Sequence, residues 1–442
     1  MPSRAAQILY IPDVNPKLLV VYALLAVAIF ANNGAFLPLV PLGLLGVLGL
    51  LVRAFSQPGP PVRQAWLYAL LTGSWLLALA RPPGPPGHWL TVSGVGLGCY
   101  FALTFGLLAV AVLALHRGRA SGAQLGIVLL LYAAAGVLLL RLTPQPAIDV
   151  HWLQQAGALD LLAGKNPYAS SVPNLYSAED TLQFFGDQRT RLGDYPYPPL
   201  SLLGGTLGFL LAADVRYFFL LAQLASAVFL HRLARRQHGE PVALSLAALW
   251  LLHPRGLFVL EQSWTEPLAC AAFLGFLYFS DGKWLWASLF FGAKQYSVLL
   301  LPLLRPPLPR WLWLGLGAAA LVVAPFFLWS PHDFIGDLFW FQIRQPFRPD
   351  ALSLPALIYW ATGWRAPGAL AGVGLLGAYF SVYRLFGRQS TRSAATLAAS
   401  AAIVYFAFFL CAKQAFCNYY YFVGALILAA VATDARSQAP KR

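Results

Sequence analysis

The chain has 442 residues, 59% of them hydrophobic and only 10% charged, with a formal net charge of +14. Soluble domains carry roughly 25% charged residues, so a soluble fold is excluded, and a β-barrel would show short alternating segments that are absent here. Membrane topology accounts for the positive charge better than a nucleic-acid partner does, because cytoplasmic loops of membrane proteins are enriched in Lys and Arg.

In chain order, the N-terminus has a weakly basic lead and an apolar run from Leu18 to Phe30. No small-residue cleavage site follows, so a retained first span is expected rather than a removed signal. Apolar stretches able to cross a hydrocarbon core about 30 Å thick predict spans at 18–31, 36–55, 64–80, 92–115, 123–142, 215–231, 241–257, 265–280, 284–304, 310–330, 366–384, 393–411 and 416–433. The expected fold is an all-α polytopic membrane protein with about 13 transmembrane helices and a large outer loop carrying juxtamembrane helices. With the N-terminus inside, the loops beginning at Arg53, His116, Arg232, Asp281, Arg305 and Arg384 face the cytoplasm, as does the tail 434–442. These segments hold 18 Lys and Arg against four acids, which is the whole of the excess. The stretch "PPLSLLGGTLGFLLAA" (198–213) is short and Gly-rich. A full crossing there would put "HRLARRQHGE" outside, so a re-entrant or interfacial helix is predicted.

The outer loop, 143–197, opens with "AIDVHWLQQAGALDLLAGKNPY" (147–168). Ile148, Trp152, Ala156, Leu159 and Leu162 recur at helical spacing, with His151, Gln154, Gln155 and Asp160 off that stripe. Gly164 and Pro167 stop the helix. A short helix capped by Ser177 follows, then the proline-held turn "YPYPPL" with Tyr195 and Tyr197. A second outer loop, 331–365, contains "DLFWFQIRQPFRPD". Cys99, Cys270, Cys411 and Cys417 show no metal spacing. Cys411 and Cys417 read as small apolar residues rather than a disulfide.

Asp149 has two readings: a solvated helix N-cap, or a general base at a low-dielectric boundary. Lys294 stands inside "LWASLFFGAKQYSVLLLPLL", where a charge costs roughly 3 kcal/mol or more and usually marks a site, with snorkelling or a structural ion pair as the other reading. Gln295 and Tyr296 add polar groups beside it, and a buried cation in a wet cavity suits a phosphate. Arg216, Arg344 and Arg348 lie within reach of the headgroup layer. His253 and Arg255 sit at another outer helix end, followed by Gln262 and Glu266. Lys413, Gln414 and Asn418 mark a last outer turn. There is no P-loop, D-x-D, H-E-x-x-H or Gly-rich nucleotide loop. No metal or cofactor is expected, and an activated group has to come ready-made within the membrane.

Taken together, "D-V-H-W…A-L-D-L-L-A-G-K-N-P-Y", "Y-P-Y-P-P-L", a re-entrant segment ending in an Arg, "R-L-A-R-R" and "A-K-Q-Y-…-L-L-P-L-L" resemble the GT-C glycosyltransferases. The likeness is to the family 87-like mannosyltransferases that use polyprenyl-phosphate mannose. It covers residues from about 123 to 433 and leaves 1–122 as a four-span extension that the family pattern lacks. The resemblance implies that Asp149 is the catalytic base and that Lys294, helped by Arg216, holds the donor phosphate. Where the family has G-Q-x-D this chain has "E-Q-S-W-T-E", so Gln262 matches and Glu266 does so roughly. His151, Tyr195, Tyr197, His253, Arg255, Gln295, Tyr296, Arg344 and Arg348 are the remaining candidates for substrate contact. The implied reaction moves a sugar, mannose by resemblance, from a polyprenyl-phosphate donor to a lipid or glycan acceptor with inversion. The implied place is the outer face of the plasma or inner membrane, and the implied partners are donor, acceptor and membrane lipids, with no nucleic acid. A transporter or flippase for lipid-linked sugars, which predicts paired interrupted helices in matching halves, is the competing class, and an inactive scaffold is a third.

Overall fold

The computed structural model describes residues 10–11, 14–56, 62–84, 94–193, 195–304, 307–387 and 393–434. The N-terminal lead up to residue 9 and all but Asp434 of the expected tail 434–442 lie outside the described residues. Among the described residues the fold is helical apart from two pairs of two-residue strands. Eight helices are long and apolar enough to cross a membrane, and five shorter apolar helices accompany them. The chain is a multi-pass helical membrane protein.

Eleven of the thirteen expected spans coincide with one of these helices; 241–257 is helical only over Glu240–Leu251 and turns before Gly256–Glu261, and 284–304 is not one helix. Over 284–304 the chain forms a helix, Lys283–Ala293, then an extended Lys294 (φ −149°, ψ 144°), then a 3-10 helix, Gln295–Leu303. The continuous span expected there is therefore corrected to a broken segment. Its apolar composition reports burial, which a broken segment satisfies as well as a straight helix does. Pro302 inside the 3-10 stretch also opposes a regular α-helix.

Two compact units divide the chain, one formed by residues 1–139, 224–257 and 349–442, the other by 140–223 and 258–348. The first centres on a helical hairpin, Ala394–Cys411 and Cys417–Thr433, that is buried on nearly all sides. Helices apolar all round are suited to such a position. Helix Pro16–Phe30 packs against it, started by Asn15, whose side chain accepts the Lys17 N–H at 3.0 Å. All four cysteines are free thiols. Cys417 lies against Gly34 and Cys411 against Gly374, so each fills a gap beside a glycine.

The second unit carries the loop 143–197. Its first helix, Asp149–Leu162, packs on Pro199–Ala212, which in turn packs on Lys283–Ala293 and Arg310–Trp329. Gly157 permits the first contact: a Cβ there would stand 3.1 Å from the Tyr195 ring and 3.3 Å from Leu202. Beneath the loop lies a core of Leu153, Tyr168, Val172, Leu192, Tyr195, Leu202, Phe326, Phe334 and Leu338. Tyr168 is its hub, with ring contacts to Tyr195 at 5.5 Å and Phe334 at 4.9 Å. The segment 331–348 is not a plain loop but a run of short helices: Pro331–Ile335, Gly336–Trp340 and Phe341–Arg344. As expected, Ser177 caps helix Ala178–Phe185.

The Asp149 helix turns a different face inward from the one its apolar stripe predicts. Its buried residues are Val150, His151, Leu153, Gln154, Gly157 and Ala158, while Leu159 and Leu162 are exposed. The off-stripe His151 and Gln154 are held by protein, which removes the cost of burying them. Of the stripe, Leu159 and Leu162 are left exposed, while Trp152 and Ala156 pack against the core beneath the loop.

Candidate active site

Ile148, in extended conformation, is the N-cap of the Asp149 helix and makes no side-chain cap bond. Asp149 is thus the first helical residue rather than the cap. Its carboxylate is partly buried and anchored by one oxygen. Oδ1 accepts the Tyr176 hydroxyl at 2.9 Å and the Val150 N–H at 2.9 Å. The Asp149 N–H donates to the same Tyr176 hydroxyl at 3.1 Å. Oδ2 is bonded by no described residue and is not fully enclosed. Burial pushes the carboxyl above the usual carboxylate range, and the Tyr176 hydroxyl, the Val150 N–H and the Arg348 charge pull it back. The Arg348 guanidinium lies 3.8 Å from the Phe184 ring centroid, and Phe184 meets Tyr176 edge-on at 5.0 Å. Both come from elements distant in sequence from Asp149.

One turn further along, the same helix grips the connector that leads into helix Glu266–Tyr278. His151 Nδ1 is 2.9 Å from Ser263 Oγ, and Gln154 Nε2 donates to the Ser263 carbonyl at 2.6 Å. Ser263 is wholly buried with φ +56°, a conformation costly for a residue bearing a Cβ. Two bonds from one helix hold it there. Burial, with Arg216 adding to it and Asp214 opposing, lowers the His151 imidazole to about 4.

Three residues after Ser263 comes Glu266, fully buried, with Oε1 at 2.8 Å from Lys294 Nζ. Glu266 Oε2 has no hydrogen-bond partner among the described residues, nor does the buried Thr265 hydroxyl beside it. The Lys294 ammonium also faces the rings of Tyr197 at 5.2 Å and Tyr296 at 5.9 Å. Gln295 Nε2 donates to the Pro196 carbonyl at 2.7 Å, and Ser201 Oγ to the Ala293 carbonyl at 2.8 Å. These two bonds tie the break at Lys294 to the "YPYPPL" turn and the Pro199 helix. Lys294 is therefore half of an ion pair, the alternative its sequence context left open, with Glu266 as the partner. An ammonium has three donors, and one carboxylate oxygen leaves it able to bond another anion.

The other expected contacts fall into three groups. Arg216 is wholly buried. Its Nε and Nη2 bond Asp214, at 3.0 and 2.6 Å, and its Nη1 bonds the Thr143 carbonyl at 2.9 Å. It braces the start of its own helix, a use different from the donor-phosphate contact expected of it. Tyr195 belongs to the core, where its N–H donates to Asp337 Oδ2 at 2.8 Å. Arg344 is exposed over Trp340, and Gln262 is half-buried on the connector. His253 and Arg255 belong to the other unit. There Arg255 donates to Asn33 Oδ1 and to the Arg81 carbonyl, both at 2.6 Å, and covers Phe30. In one unit, then, the structure holds Asp149, His151, Tyr197, Glu266, Lys294, Gln295, Tyr296 and Arg348, with Tyr176, Asp214 and Ser263 as partners that sequence patterns did not single out. No group of three or more His, Cys, Asp or Glu able to hold a metal occurs among the described residues.

No protein-family model matches the chain, nor does any curated protein or any solved structure.

Proposed function

We propose that the protein is a membrane glycosyltransferase that moves a sugar from a polyprenyl-phosphate donor to a lipid or glycan acceptor. The observation that carries this reading is the state of the Asp149 carboxylate: one oxygen fixed by two hydrogen bonds, the other open. A carboxylate held in this way has a fixed orientation and still has an oxygen able to take a proton, which a general base needs. In the proposed step the acceptor hydroxyl attacks the anomeric carbon and its proton passes to Asp149 Oδ2. The bond from that carbon to the phosphate oxygen breaks, with inversion, and the phosphate leaves as an anion. The free donors of Lys294 offset the charge that gathers on it, an electrostatic contribution of the preorganised kind. One carboxylate suffices because a phosphate leaving group needs no proton, unlike the alkoxide that obliges glycoside hydrolases to use two.

The broken segment around Lys294 also suits the competing class, since transporters bind ions and substrates at interrupted helices. One experiment separates the two. Purified protein is given a panel of polyprenyl-phosphate sugars with an acceptor lipid extract, and transfer is scored beside translocation in sealed vesicles. Sugar transfer that Asp149→Asn abolishes is the expected result. Translocation without transfer, insensitive to Asp149→Asn, would replace the enzyme with a transporter.

A further inference from the structure

The outer-loop segment 172–192 folds on its own bonds into a small clamp. Val172–Pro173 pairs with Arg191–Leu192. Between them, Asn174 Nδ2 donates to Thr181 Oγ1 at 2.7 Å and to the Arg189 carbonyl at 2.8 Å, while Asn174 Oδ1 accepts the Tyr176 N–H at 3.0 Å. Tyr176 is thus fixed at its backbone by one asparagine and at its ring by Phe184 and Phe185, at 5.0 and 6.1 Å. Its hydroxyl is left at the tip, where it meets Asp149 twice, once as donor to Oδ1 and once as acceptor from the N–H.

We propose that Tyr176 is a positioning residue for Asp149: it locks Oδ1, so that Oδ2 alone points outward as the proton acceptor and the carboxylate stays charged. This rests on the transferase reading above. The chemistry favours a tyrosine in this place. A phenol donates strongly to a carboxylate, and here it cannot take the proton that Asp149 is meant to receive. Burial and the Asp149 charge both push the Tyr176 hydroxyl well above its ordinary value, so it remains protonated across the working range. A hydroxyl that donates to one carboxylate oxygen stabilises the ionised form, which keeps the group deprotonated at some cost in basicity, and leaves the other oxygen as the one open to a proton. The charged and titratable groups acting on Asp149 are Tyr176 and Arg348. The Pro199 helix, packed on the same helix, carries no titratable side chain, Tyr168 of the neighbouring 3-10 turn is bonded to the Tyr197 carbonyl, and His151 is turned to Ser263.

The test is Tyr176→Phe, which keeps the ring and its contacts with Phe184 and Phe185 while deleting the hydroxyl. Loss of the bond favours the protonated carboxyl, so the acid limb of the kcat/KM profile against pH is expected to move to higher pH. At the foot of that limb kcat/KM is expected to fall roughly tenfold, the usual scale of one hydrogen bond to a charged group, and to recover toward wild type as pH rises. A uniform loss at every pH, or an unmoved acid limb, would make Tyr176 a packing residue only and overturn the proposal. An independent measurement needs no turnover: the carboxyl stretch of Asp149 followed by infrared difference spectroscopy against Asp149→Asn. If Tyr176→Phe shifts that titration upward in a protein that transfers no sugar, the lock stands and the transferase reading fails. If the titration does not move in an active enzyme, the lock fails and the reading stands.

Discussion

The two acids of helix Asp149–Leu162 are the same residue type in different positions. Asp160 Oδ2 accepts the Ser170 hydroxyl at 2.5 Å, an acceptor role that an amide oxygen fills as well. Asp149→Asn likewise leaves an amide oxygen for Tyr176 but puts a nitrogen without basicity in the place of Oδ2. General-base catalysis is worth about 10²–10⁴-fold. Asp149→Asn is expected to fold, bind donor and transfer sugar at least about a hundredfold more slowly, with Asp160→Asn near wild type. Steady-state transfer rates of the two variants decide it, and an active Asp149→Asn would return the residue to the role of a structural acid. His151 carries a different signature. Folding holds its imidazole neutral at about 4 against an ordinary 6.5, so the unfolded chain binds the extra proton. The stability this contributes is complete above about 6.5 and is lost as pH falls toward about 4. Thermal unfolding in detergent is expected to weaken over that window, and His151→Gln to flatten the slope; an unchanged slope would place the titrating group elsewhere. The sequence made Asp149 legible because an acid behind an apolar span is conspicuous. It concealed Tyr176 because the bond between them closes over 27 residues, and no periodic pattern reports a contact of that kind.

At the scale of elements, the Lys294 break and the connector before Glu266 act together. Helix Lys283–Ala293 has 11 residues, about 16 Å at 1.5 Å per residue, and the Pro199 helix has 14, about 21 Å. Both fall short of a hydrocarbon core about 30 Å thick, as do Glu240–Leu251 with 12 residues and Glu266–Tyr278 with 13, so the break at Lys294, and not length, sets this segment apart. The Gly-rich composition of 198–213 disclosed the short helix, whereas the break at 294 was hidden by uniformly apolar flanks. Glu266 was visible as an acid that roughly matches the family motif, but its partner lay 28 residues away. Their pairing changes what substitution at Lys294 does. Lys294→Met leaves a wholly buried carboxylate without its counter-ion, a loss of about 3–5 kcal/mol in other buried pairs. The single variant is therefore expected to be unstable for reasons unrelated to substrate. Lys294→Met with Glu266→Gln is expected to regain most of that stability and still to bind donor poorly, as read by unfolding midpoints and by lipid-phosphate sugar binding. Wild-type binding by the double variant would reduce Lys294 to a partner of Glu266.

For the whole molecule, thirteen full crossings cannot begin and end on one face of a membrane, whereas the charge count over the loops predicts one face for both ends. If the broken segment turns back at Lys294 instead of crossing, twelve crossings remain and both ends are cytoplasmic. Cysteine labelling in sealed vesicles reads this directly. Glu179→Cys, on an exposed part of the outer loop, is expected to react from outside, and Arg236→Cys only after permeabilisation. The opposite pattern would move the candidate site to the cytoplasmic face. The broken segment also bears on how the chain is made. With Lys294 and a helix of about 16 Å, it offers the insertion machinery too little apolar length to be released alone into lipid. Helix Arg310–Trp329 approaches it so closely that a Cβ on Gly315 would stand 2.8 Å from Ala287 Cβ. During synthesis the earlier segment is expected to wait in the translocon for the later helix, so a nascent chain truncated before residue 310 should fail to integrate there.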